Sequence, residues 1–136
     1  MNWKVGIVAA MAIWPTAAFA EIAECTHTVD FTGTQMTWRI EAGRDGALPV
    51  VSFRDTHTAA KPAKVLHHSF TGVQGSDGLG ISSIMLMQPD GDGYTLPSLI
   101  TIDWTSLKFG HGYVPFVQGR ENFMLANAAY ECVRLD

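Results

Sequence analysis

Five histidines, His27, His57, His67, His68 and His111, are the side chains of this sequence best suited to chemistry near neutral pH. A transition-metal site needs three or four donors converging from separate segments. His57, His67, His68 and His111 are the candidate ligands, with Asp55 or Asp103 available to orient a ring. Their spacing matches neither H-E-x-x-H nor a zinc-finger pattern, so only the fold could gather them. His67 and His68 are neighbours, and on a regular strand neighbouring side chains point to opposite faces. Those two therefore cannot serve one centre from such a strand. His27 shares a strand face with Cys25, Val29 and Phe31 and reads as a hydrogen-bonded structural histidine. Met85 and Met87 would offer soft donors to copper, but their run from Ile81 to Gln88 reads first as core packing.

Other templates fit less well. Asp55 stands two residues before His57, and Ser69, Ser76 and Ser98 are possible nucleophiles, yet no spacing selects one serine. Gly75-Ser76-Asp77-Gly78 is not the G-x-S-x-G of a hydrolase elbow. Asp90-Gly91-Asp92-Gly93 opens like a calcium loop, but the twelfth position, where a bidentate Glu belongs, is Thr101. It reads as a hairpin turn. The carboxylates of Glu41, Asp55 and Asp103 could meet at one barrel mouth, with no pattern that requires it.

A different signal comes from Phe109-Gly110-His111-Gly112-Tyr113-Val114-Pro115-Phe116, where glycines alternate with rings. Glycine inside a strand marks a bulge or a close backbone approach. The segment is either a recognition surface, with Phe109, His111, Tyr113 and Phe116 as ligand-binding residues, or an edge strand that packs its rings into the core behind Pro115. The expectation is a small exported non-enzymatic β-domain, without cofactor, that binds a protein partner or a small apolar ligand. The alternative is a periplasmic metal-binding protein built on the histidine cluster.

The elements that must position these residues follow from composition and periodicity. The chain has 136 residues, 47% hydrophobic and 16% charged, a size that argues for one domain. Lys4, the apolar run Val5–Ile13, Pro15 and the Ala18-Phe19-Ala20 triplet form a secretory signal pattern, cleaved before Glu21. The expected organisation is a signal peptide over 1–20 and one β-domain over 21–136, exported to a bacterial periplasm or the medium, with no membrane anchor in the mature form. Loss of Lys4 leaves eight Lys/Arg against thirteen Asp/Glu in that domain. Such a mildly acidic chain, with its basic residues scattered singly, lacks the clustered cationic face that nucleic acid requires.

Cys25 and Cys132 stand near the two ends of that domain and, in an oxidising compartment, pair in one way only. Between them, two-residue alternation recurs, as in Met36, Trp38 and Ile40, and again in Ile100, Ile102 and Trp104. Glycine-rich breakers separate the runs. The pattern predicts about eight strands, near 23–31, 35–41, 48–54, 64–71, 80–88, 94–104, 108–118 and 123–134. The polar stretch 55–63 reads as one loop, and 122–129 is the part most open to a short helix. The predicted class is all-β: a single antiparallel domain, closed barrel or compact sandwich, its termini joined by the disulfide. A disulfide needs Cα atoms within about 7 Å, which in a meander favours an even strand number and pairing of the first strand with the last.

Overall fold

A computed structural model describes residues 21–43, 47–71, 80–89, 94–113, 116–117, 120–121, 124–125 and 129–135. The expected signal segment and the turn at 90–93 lie outside the described residues. The strands are β1 (Ile22–Thr28), β2 (Gln35–Glu41), β3 (Val50–Asp55), β4 (Lys61–Thr71), β5 (Ile81–Pro89), β6 (Tyr94–Asp103), β7 (Lys108–Tyr113), β8 (Phe116–Val117), β9 (Arg120–Glu121), β10 (Met124–Leu125) and β11 (Glu131–Leu135). One antiparallel sheet runs in the order β10-β7-β6-β5-β4-β3-β2-β1-β11, while β8 and β9 pair separately. The eight longer strands, β1 to β7 and β11, form the wall of a nearly closed barrel. The class and the strand number are those the alternation predicts.

Cys25 and Cys132 face each other in the β1–β11 ladder and are joined, with Cα atoms 4.0 Å apart. That spacing matches directly opposed residues of an antiparallel pair lacking mutual backbone bonds. The first and last strands pair as the cysteine positions predict. A disulfide is also compatible with an oxidising, exported compartment. The opening in the wall lies between β7 and β11, where Tyr130 fills the seam against Phe109 and His111.

The interior is set by the two-residue period. Ala23 and Cys25 of β1, Trp38 and Ile40 of β2, Val51 of β3, Ile84 and Leu86 of β5, and Ile100 and Ile102 of β6 are buried together. Trp104, just after β6, plugs the lower end; its indole N–H donates to Ser82 Oγ at 2.9 Å. Here "lower" denotes the end carrying Glu41 and Asp103, and "upper" the end carrying the β1–β2 turn.

Three expectations need correction. The first strand ends at Thr28, so Phe31 belongs to a turn and does not share the Cys25 face. Strand β4 begins at Lys61, inside the stretch read as a loop: residues 61–63 pair with Phe53 to Val51, and the ladder there is only three pairs long. Met85 and Met87 are not core. Ile84 and Leu86 take the interior, which leaves Met85 37% exposed on the outer face. An alternating strand that is apolar on both faces carries no sign of which is the inner one.

Candidate functional site

The four histidines proposed as metal ligands are distributed over different parts of the barrel. His57 lies in the exposed turn after β3. A register shift between Val65 and His67 inserts Leu66 as an extra residue, after which His67 points outward and His68 inward. His68 Nε2 lies 3.3 Å from Ser82 Oγ, its ring edge-on to Phe70. Ser82 already accepts from Trp104, so its own hydroxyl hydrogen is available to His68 Nε2. Burial, with His67 adding a smaller effect, holds His68 below the ordinary histidine range. His111 is buried against Trp38, ring centroids 5.2 Å apart, and burial lowers its pKa to about 4. Among the described residues no group of three or more His, Cys, Asp or Glu side chains is placed to hold a metal ion.

Asp55 does not orient the His57 ring. Its Oδ1 accepts the backbone N–H groups of His57 (2.8 Å) and Thr58 (2.9 Å), closing the turn and, His57 foremost, lowering the carboxyl pKa. Asp103 does the same for Ser106 and Thr105 after β6; bonds from Ser106 are the main cause of its lowered pKa. Glu41 and Asp103 stand at the lower end and Asp55 at the upper, so the three carboxylates do not share a mouth. Ser98 is fully buried, its hydroxyl donating to Gln88 Oε1 at 3.3 Å. Ser76 lies outside the described residues.

Of the aromatic set, Phe109 and His111 are paired with Ile102 and Ile100 and share their inward face. Phe109 packs on Tyr130 with centroids 4.8 Å apart. The side chains of Tyr113 and Phe116 lie outside the described residues. Between the rings, Gly110 is a close approach: a Cβ there would lie 2.7 Å from Thr101 Oγ1 on the neighbouring strand.

One concave feature of the described surface is a cleft of about 500 Å³ at the upper end, lined by Thr26, His27, Thr28, Asp30, Gln35, Ala129 and Glu131. Its origin is an offset between two ladders. Strand β1 pairs with β2 as far as Thr28↔Gln35, but with β11 only as far as Thr26↔Glu131. The β1–β2 hairpin therefore overhangs the start of β11 by two residues, roughly 7 Å at strand rise. Ala129 and Glu131 form one wall and the overhang the other. His27 Nδ1 lies 2.9 Å from the Ala129 carbonyl oxygen. A carbonyl only accepts, so Nδ1 carries the hydrogen and, in the neutral ring, Nε2 keeps its lone pair. Tyr130 supports the ring from the barrel side, centroids 5.5 Å apart.

Next in the chain to Asp30 of the cleft lining comes Phe31, 94% exposed. Its turn is held by Val29 N to Thr34 O (2.9 Å), by Thr32 N (3.3 Å) and Gly33 N (2.8 Å) to Val29 O, and by the Thr32 and Thr34 hydroxyls, 2.9 Å apart. Gly33 sits at φ +66°, a left-handed conformation that costs glycine little. Neither the cleft nor Phe31 emerges from reading His27 and Phe31 as residues of one long strand. The glycine at 33, flanked by threonines and preceded by Asp30, is the signal that would have placed a turn there.

Comparison of the chain with protein-family models, with curated proteins and with solved structures gives no match.

Proposed function

We propose that the chain is an exported, non-enzymatic binding domain, delivered to the periplasm or medium by residues 1–20, and that it recognises a protein partner at its upper end. The observation that carries this reading is Phe31. A phenylalanine side chain left in water forgoes ~1.5–3 kcal/mol that burial would return. Phe31 forgoes it on a turn fixed by hydrogen bonds, so its exposure is built in. Aromatic anchors of this kind, displayed rigidly and buried only on association, carry much of the energy of protein interfaces. The interior weighs against one form of the other half of the expectation, a small apolar ligand reaching from the Phe109–Phe116 segment into the barrel. Trp38 and Trp104, both fully buried, occupy it, and an eight-stranded wall leaves room for side chains or a ligand rather than both.

The test is site-specific photocrosslinking in cells that export the chain. Benzophenone-bearing phenylalanine is placed at position 31 or, as a control, at exposed Arg39 on the outer face of β2. A discrete partner captured from position 31 and absent from position 39 is the expected result. Capture of the same proteins from both positions, or of none from position 31, overturns the reading.

A further inference from the structure

We infer that the cleft beside Phe31 receives a basic side chain of the partner, an arginine in preference to lysine; this rests on the reading of the upper end as a protein-recognition surface. Charge complementarity is the argument. Among the described residues the side chains lining the cleft include two carboxylates, Asp30 and Glu131, and no lysine or arginine. The His27 Nδ1 hydrogen is committed to the Ala129 carbonyl at 2.9 Å and is not left to face a cation. Carboxylates match the forked N–H donors of a planar guanidinium better than the single point charge of an ammonium.

The volume agrees with that guest. About 500 Å³ is within the range of small-ligand clefts and ample for one long side chain with its water. Phe31, one residue along the turn from Asp30, is exposed and available to an apolar group of the same partner. Together the two features define a bipartite surface, an exposed ring on the turn and an anionic cleft below it in the chain's β1–β2 hairpin. A partner with an arginine next to an apolar depression would fit it.

The experiment uses the full exported domain with its disulfide intact and two probes, Nα-acetyl-argininamide and its neutral isostere Nα-acetyl-citrullinamide. Each is titrated into the millimolar range while backbone amide shifts are followed by NMR. The expected result is saturable movement at Thr26–Phe31, Gln35 and Ala129–Glu131 with the arginine probe, and binding at least tenfold weaker with citrulline. The isosteric double variant Asp30→Asn, Glu131→Gln, confirmed as folded by its amide spectrum, is expected to lose at least tenfold in affinity. Raising ionic strength from about 0.01 M to about 0.1 M, which shortens the Debye length from about 30 Å to about 10 Å, weakens the interaction of the unaltered protein. Equal binding of the two probes, no binding of either, or an unaffected double variant overturns the inference. Each of those outcomes, obtained alongside a specific crosslink from position 31, removes the arginine cleft and leaves the recognition surface standing.

Discussion

Strand β11 has two flanks, and the barrel closes differently on each. Towards β1 it forms a ladder of five pairs, from Ile22↔Leu135 to Thr26↔Glu131, with the disulfide at the fourth. Towards β7 no such ladder is present among the described residues; side chains bridge the seam instead. Tyr130 packs on Phe109 and His111, while the Arg134 guanidinium donates to the Trp104 carbonyl. Backbone pairing and a covalent bond fix register without help from side-chain shape, whereas a ring-packed seam depends on shape throughout. The β7–β11 seam is thus where the wall gives way first, and the disulfide retains β11 when it does.

Removing the covalent tie has the largest expected effect. The Cys25→Ala, Cys132→Ala double variant releases a closure spanning 107 residues, for which the chain-entropy model gives about 4.7 kcal/mol and comparable native bridges about 2–5 kcal/mol. Urea unfolding of the variant, and of the unaltered protein under reductant, is expected to show a loss in that range. Hydrogen exchange should then show β11 opening on both flanks alike. A loss under about 1 kcal/mol would mean that the ladder alone holds the β1 flank and that the two junctions are less unlike than proposed.

Acid attacks the other flank. Burial lowers the pKa of His111 to about 4, against about 6.5 in an unfolded chain. Above pH 6.5 the ring is neutral in both states, so it contributes no pH dependence. As pH falls from about 6.5 towards 4, the unfolded chain takes up the proton and the folded protein does not, and stability declines, by roughly 3 kcal/mol once both forms are protonated. His68, also lowered by burial, acts in the same direction. Replacing His111 with Gln separates the two: the acid-side decline in unfolding free energy should flatten markedly. An unchanged pH profile in that variant would mean that His111 is not what makes the seam acid-sensitive.

Tyr130→Ala removes the ring that spans the seam. Tyr130 is half-buried rather than enclosed, so the expected loss is about 2 kcal/mol, below that of a fully buried aromatic. Most of the change should appear as faster exchange of amides in β7 and β11, with those of β3 and β4 little altered. Uniform acceleration throughout the sheet would show the seam to be no weaker than the rest of the wall.

Much of this arrangement is legible in the sequence, for a physical reason. Where a strand has one apolar face and one polar face, as in Met36 to Glu41, the two-residue period gives both the element and its inner side. The positions of Cys25 and Cys132 add the pairing of the end strands. The period says nothing where both faces are apolar, hence the reversal of Met85 with Ile84, and it loses phase wherever a residue is inserted, as Leu66 is before His67 and His68. The cleft is harder still to foresee. It arises because the β1–β11 ladder stops two residues short of the β1–β2 ladder, and the end of a ladder is a property of two strands together.

The smallest expected effect on stability is the most informative about function, because it compares one residue type in two settings. Phe109 lies in the seam against Tyr130, and Phe109→Ser should cost roughly 2 kcal/mol through lost packing. Phe31 stands 94% exposed, with next to no packing to lose, so Phe31→Ser should leave the unfolding free energy within about 0.5 kcal/mol of the original. Urea titrations of the two variants side by side measure the difference. If Phe31→Ser proves as costly as Phe109→Ser, the exposed ring is supporting its turn, and the case for it as an anchor fails. If it is neutral for folding yet abolishes the crosslinked complex formed from a benzophenone at neighbouring Thr32, its role is recognition, and the upper end serves binding while the seam serves closure.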